Sequence, residues 1–419
     1  MSTNCLCRVG YIFLAATFQT LASAQPAMDL MNQASGTGMN PQSYSMPMSM
    51  RSFGSWSLTL MGQAFIVDTQ QSGPRGGDKL YSSNWFMGAA EHKVGDGAFQ
   101  FQLMLSLDPA TMTGRRYPEL FQTGETAFGV PLADAQHPHN FIMGLGFQYE
   151  RPLGDKATIQ FYFAPVGDPA LGPVAYPHRA SAEELPQAPL SHHWQDSTHI
   201  ADDVVTVAVK YQWVRLEASG FHGAEPGENR WIVQQGAVDS WSARVSAFPS
   251  KNWMAQASVG RISRPEIQEP GDVIRSTASL HYTRPIADGK SWSSSLIWGR
   301  NHDTYTQRNL NSYLAESVLP LPGKNFLTGR YELVDKDELF SATPDLETQL
   351  DRTAGSTFRI GAYTAGLTHD FPNLIHGIET GIGANASTYT LPAAIKPYYG
   401  DRPFGVNIFL RLRLKPGDK

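Results

Sequence analysis

Seven of the chain's twelve histidines fall between residues 137 and 222, at His137, His139, His178, His192, His193, His199 and His222. Neutral imidazole is a frequent ligand for divalent metals, and its second ring nitrogen is usually steadied by a carboxylate or a carbonyl. His137 and His139 flank Pro138, which biases the residue before it to an extended backbone, so both rings can project from one short segment. His192, His193 and His199 share another stretch, with Asp196 between them. These residues are expected to converge, either as a hydrogen-bonded clamp or as a copper or zinc site in which Asp196 orients a ring. No spacing here dictates a metal by itself, as an HExxH helix does. A second candidate is softer. Six of the thirteen methionines fall between residues 25 and 52, and Met46, Met48 and Met50 cluster around Pro47 and Ser49. Thioether suits Cu(I), although methionine is also a tolerated apolar residue in an unstructured tail.

The segments bearing the histidines are joined to runs of alternation. Phe141, Met143, Leu145, Phe147 and Tyr149 alternate with small or polar residues, and Ala157, Ile159, Phe161 and Phe163 do so after a break at residues 151–155. Period two with one apolar side signals a strand, and two such runs across a short break signal a hairpin. Residues 99–107 repeat the pattern with Phe101, Leu103 and Leu105, and thirteen further runs bring the count to sixteen. Most have the roughly ten-residue length that a tilted strand needs to cross a bilayer. The connections alternate long and short, with residues 108–136 and 166–198 among the long ones. A sandwich has no reason to gather every long loop at one end; an outer-membrane barrel has. The expected fold is therefore all-β, a transmembrane antiparallel β-barrel of about sixteen strands with short periplasmic turns and long outer loops.

Targeting agrees with this. Arg8 precedes an apolar stretch at 9–21, and Ala22-Ser23-Ala24 before Gln25 fits signal-peptide cleavage. The expected division is 1–24 signal peptide, 25–52 disordered Met-containing periplasmic tail, and 53–419 barrel, with both termini periplasmic. The only cysteines, Cys5 and Cys7, lie in the signal peptide, which excludes disulfides and thiolate metal sites from the mature chain. A net formal charge of -5 argues against nucleic acid as a partner.

The signal peptide, the tail, the alternating strands and the final strand at 404–414 together resemble a Gram-negative outer-membrane porin-like β-barrel. The segments around His137-Pro138-His139-Asn140 and Ser191-His192-His193-Trp194 resemble a group of uncharacterised outer-membrane proteins. A Met-bearing tail before a barrel is similar in layout to outer-membrane copper-resistance proteins of the B type. These resemblances imply outer-membrane lipid, the outer-membrane assembly machinery, and small hydrophilic solutes or metal ions as partners.

Residues opposite the apolar stripe are expected to face the lumen. Arg244, Arg330, Arg359, Arg411 and Arg413 among them are the expected pore-lining charges, and rings of such charges tune ion selectivity. The reading is a porin-like channel whose mouth is shaped by His-rich loops, with a copper-binding or resistance protein as the alternative. A barrel lipid hydrolase using Ser191 or Ser197 with a histidine is a further alternative. No GxSxG elbow, phosphate loop or dinucleotide fingerprint accompanies those serines, so no catalytic residue is assigned and the chain is read as a non-enzyme.

Overall fold

The structure, a computed structural model, describes residues 30, 33–266, 270–286, 290–354 and 357–415. The expected signal peptide lies outside them. Sixteen antiparallel strands close into a barrel. They are β1 (Trp56–Gln71), β2 (Gly77–Val94), β3 (Gly97–Leu105), β4 (Ile142–Pro152), β5 (Ala157–Gly167), β6 (Ala201–Tyr211), β7 (Val214–His222) and β8 (Ser240–Ser250). The wall continues with β9 (Trp253–Ile262), β10 (Val273–Pro285), β11 (Ser291–Asp303), β12 (Asn309–Leu321), β13 (Asn325–Lys336), β14 (Phe358–Ile375), β15 (Ile378–Thr390) and β16 (Phe404–Leu414). Closure comes from β16 against β1, where Leu410 pairs Ile66 and Arg411 pairs Phe65. Among the described residues no helix is long and apolar enough to cross a membrane. The strands supply the crossing, because a closed barrel meets every backbone hydrogen bond without water.

Period two fixes what each face meets. Phe147, Phe161, Phe163, Val205, Val207, Leu216, Ile408 and Leu410 are exposed on the outside, whereas Gln148, Gln160, Glu217, Asn407 and Arg411 point in and are buried. Within β4 one residue departs from the expected side. Met143 is fully buried, because the β3–β4 register shifts between Met104 and Leu105 and turns it inward. Tight turns close the short end; Gly154 and Gly377 have φ of 74° and 75°, a region that only glycine enters without strain.

The interior is filled. The connection from β5 to β6, residues 168–200, runs through the lumen and is buried along nearly its whole length. The connection from β3 to β4, expected to be an irregular loop, carries a hairpin, Tyr117–Ala127 with Val130–Gln136. An apolar cluster joins it to the inserted segment and the wall. Phe121 of the hairpin, Leu190 and Trp194 of the insert, and Val334, Ile360 and Tyr389 of the wall share it with Tyr399.

The tail expected to be disordered is also placed inside. Gln33–Ser35 pairs with Gly38–Met39, and both are buried. Gln33 donates to Gln160 at 3.1 Å, Arg244 donates to the Thr37 carbonyl at 2.7 Å, and Asn40 donates to the His178 carbonyl at 2.9 Å. The tail shows no apolar period because polar contacts such as these alternate with isolated apolar ones, Met39 packing with Phe248 and Met254. It then crosses the short-turn end, where Ser43 reaches the Lys251 and Thr283 carbonyls. Ser49–Phe53 finally folds back onto the start of β1.

Candidate functional site

The hairpin ends at Gln136 and delivers His137 and His139 to the long-loop end of the lumen. The insert delivers the others: His192 and His193 open a helical turn at His192–Gln195, and His199 ends the 3-10 turn Ser197–His199. The five rings form one cluster. Centroids lie 5.6 Å apart for His139 and His199, 5.2 Å for His192 and His199, 5.2 Å for His192 and His193, and 5.7 Å for His137 and His193. His178 stands apart, edge-on to Trp85 at 4.3 Å.

Carboxylates orient two of these rings. His139 Nδ1 lies 2.9 Å from Asp108 Oδ2, whose other oxygen accepts the Asn84 backbone N–H at 2.8 Å. His192 Nδ1 lies 2.6 Å from Asp196 Oδ1. Asp196 Oδ2 accepts from the Tyr176 N–H at 3.0 Å and from Arg179 Nη1 at 2.8 Å. His199 Nδ1 faces the Asp196 carbonyl at 2.9 Å, and Tyr176 bridges across with its hydroxyl 3.3 Å from His139 Nε2. His137 Nε2 lies 3.1 Å from Glu125 Oε1. The result is a clamp that ties hairpin, insert and wall together.

Burial sets the charge state of the cluster. It pushes His137 down to about 3, lowers His192 against the pull of Asp196, and holds His193 and His199 well below the ordinary imidazole value. Burial alone would raise the Asp196 carboxyl, but His192 and Arg179 outweigh it and keep Asp196 below the usual range. Two nearby glutamates move the other way: burial raises Glu119 to about 8 and Glu225 to about 7.

The expected metal set is only partly assembled. Among the described residues, the three His, Asp or Glu donors that lie within 4.8 Å of one another are His193, Glu225 and Glu266. Asp196 spends its oxygens on His192, Arg179 and Tyr176, as above. Met46 and Met48 pack against the buried cluster of Met61, Met87, Met104, Met143, Val166 and Ile200, whereas Met50 is exposed on the fold-back strand and does not join them. Glu225 and Glu266 carried no spacing signal in the sequence.

The arginines expected to line open water do not. Arg411 is fully buried against Glu184 of the insert and Asp370 of β14. Arg413 also reaches Glu184, at 3.0 Å, and Arg244 holds Glu217 at 2.8 Å. Arg330 pairs Glu316 at 2.9 Å. Arg359 is exposed, 2.7 Å from Asp335. Alternation puts Arg244, Arg330, Arg411 and Arg413 on the inner side, but Arg359 shares the outer side of β14 with the exposed Tyr363 and Leu367. Glu217 and Glu316 face Arg244 and Arg330 from neighbouring strands, whereas Glu184 meets Arg411 and Arg413 from the distant insert. The serines do no better as nucleophiles. Ser191 donates to Glu332 at 2.8 Å and Ser197 to Glu225 at 3.2 Å, so neither hydroxyl is aimed at an imidazole.

With this geometry in view, the architecture is that of a closed sixteen-strand transmembrane β-barrel, a fold similar to that of solved porins. OmpF of Salmonella typhi, in a complex with daunomycin, superposes with a TM-score of 0.53 at 10% identity. The match covers 87% of this chain and 100% of that one. An anion-selective porin from Comamonas acidovorans superposes with a TM-score of 0.50 at 12% identity, over 86% and 100% of the two chains. No family model matches the chain, and no curated protein matches its sequence.

Proposed function

We propose that the chain is an outer-membrane channel for small hydrophilic solutes, held shut in this conformation by its own inserted segments. A wall of sixteen strands is too wide for its own side chains to fill. The observation that carries the reading is the character of the seam between insert and wall. Arg411 and Arg413 meet Glu184, Arg179 meets Glu316, and Ser191 meets Glu332. A seam of this kind leaves a wettable surface behind when the insert withdraws, where an apolar seam would not. Arg244, Arg330, Arg411 and Arg413 then line the passage and favour anions. The clamp of His137, His139, His192, His193 and His199 is the latch. In this reading residues 1–24 are the signal peptide, 25–52 form a periplasmic tail that enters the barrel, and both termini are periplasmic. The assembly machinery of the outer membrane inserts 53–419, and no catalysis is involved.

The test is the reversal potential of the opened channel across a salt gradient. Anion preference is expected, moving toward cations in Arg411→Glu/Arg413→Glu. Cation preference in the unaltered barrel contradicts the reading. A copper-handling role has one observation of its own, the packing of Met46 and Met48 against an apolar cluster that contains four buried methionines. Cu(I) titration under reducing conditions tests it, with binding lost in Met46→Leu/Met48→Leu as its signature.

A further inference from the structure

Beside the histidine clamp, three connections at the long-loop end bring donors to one point. His193 comes from the insert, Glu225 from the loop after β7, and Glu266 from the loop after β9. Their ligand atoms all lie within 4.8 Å of one another. His193 Nδ1 is 3.8 Å from Glu225 Oε2, too far for a hydrogen bond. That separation suits two donors on one ion, each at about 2.0–2.2 Å.

The side chains are built for a missing partner. His193 is only 6% exposed, yet neither ring nitrogen has a hydrogen-bond partner, and Glu225 Oε2 has none either. Room for the ring is made by Gly124, at φ 117°, where a Cβ would stand 2.5 Å from the imidazole Cε1. A cavity of about 170 Å³ adjoins the site, and Glu125, Glu228 and Glu338 line it together with Glu225 and Glu266. Two cations stand close, but both are engaged. Arg275 donates to the His193 carbonyl at 2.6 Å and to Ser197 Oγ at 2.8 Å, and Lys336 donates to Gln122 at 3.2 Å.

We propose that His193, Glu225 and Glu266 form a divalent-cation site. One imidazole with two carboxylates favours a borderline first-row ion such as Zn²⁺ over Ca²⁺, which takes oxygen ligands alone. Water from the acidic cavity completes the coordination. The ion joins the insert to two separate loops, so its binding fastens the insert in place. Binding at this point does not depend on the barrel being a channel.

The full barrel, folded in detergent and stripped with chelator, is titrated calorimetrically with Zn²⁺, and with Co²⁺ for its visible absorption. One equivalent is expected to bind. Glu225→Gln, Glu266→Gln and His193→Gln should each weaken it at least tenfold, while His222→Gln, another histidine of this end, should change it less than twofold. Zn²⁺ should also raise the thermal midpoint of the unaltered barrel and not that of the Glu225→Gln/Glu266→Gln double variant. Circular dichroism establishes that each variant is folded, and the two glutamate variants keep the test open if His193→Gln is not. Absence of saturable binding near one equivalent overturns the proposal. So does binding that survives the double variant.

Discussion

Arg179 of the insert and Glu316 of β12 form a fully buried ion pair, with Nε 2.6 Å from Oε1. The same carboxylate receives Arg330 at 2.9 Å through its other oxygen, and Ser181 donates to it at 2.9 Å. Two guanidiniums from different segments thus meet on one wall glutamate, Arg179 keeping Asp196 of its own segment as a second acid, and the insert is fixed to the barrel by a charge that has no water to fall back on. Removing one partner of a buried pair leaves the other uncompensated, at a cost of about 3–5 kcal/mol. Glu316→Ala should therefore release the insert and make residues 168–200 cleavable by protease while the wall stays intact. Resistance equal to that of the unaltered protein counts against this.

Acid should weaken the latch through its histidines. His137 is near 6.5 in an unfolded chain and is pushed down to about 3 by burial in the fold. Between those values the unfolded chain takes up a proton that the native ring refuses. The stability His137 contributes is thus fully present above 6.5 and lost as pH falls toward 3, by about 1.4 kcal/mol per pH unit. Glu119 has the opposite sign: its native value of about 8 lies above the ordinary 4.5, so its contribution grows as pH falls through that window. Comparing the unaltered barrel with His137→Gln isolates the imidazole. The stability advantage of the unaltered protein should shrink from pH 6.5 to pH 4; an advantage that grows would refute the assignment.

The lipid face gives a third test. Phe161 is 47% exposed on the outside of β5, opposite Tyr149 and Val207 in register. Phe161→Arg should cost about 2–4 kcal/mol if it sits near the bilayer midplane, measured as a lowered denaturant midpoint in lipid vesicles. Gln160→Arg, one residue back and facing in, should leave the lipid contact untouched and act on Gln148, Gln33 and Arg215, the hydrogen-bond partners of Gln160.

Alternation over about ten residues is a strong signal, and all sixteen wall strands were legible from it. So was the meeting of His137 and His139 with His192, His193 and His199, because proline geometry and loop order constrain where those rings can go. What stayed hidden was the content of the lumen. The hairpin at 117–136 has non-glycine residues with positive φ, Phe121, Glu125 and Asp134 among them, so its pattern is irregular. The tail binds the wall through polar groups and a few isolated methionines and so shows no apolar stripe. Period two places Arg411 inward but says nothing of Glu184, 227 positions away, which turns a pore-lining charge into a buried pair. Glu225 and Glu266 come together with His193 only through loop packing.

The central claim is that a wettable passage exists behind the insert and the tail. It is tested most directly by single-channel conductance in a planar bilayer, using a barrel that starts at residue 49 and carries a short Gly-Ser linker in place of 170–198. The account predicts steady open conductance from this doubly trimmed barrel and a mostly closed record from the full chain. A trimmed barrel that folds and inserts but passes no current contradicts it, and so does a full chain that conducts equally well.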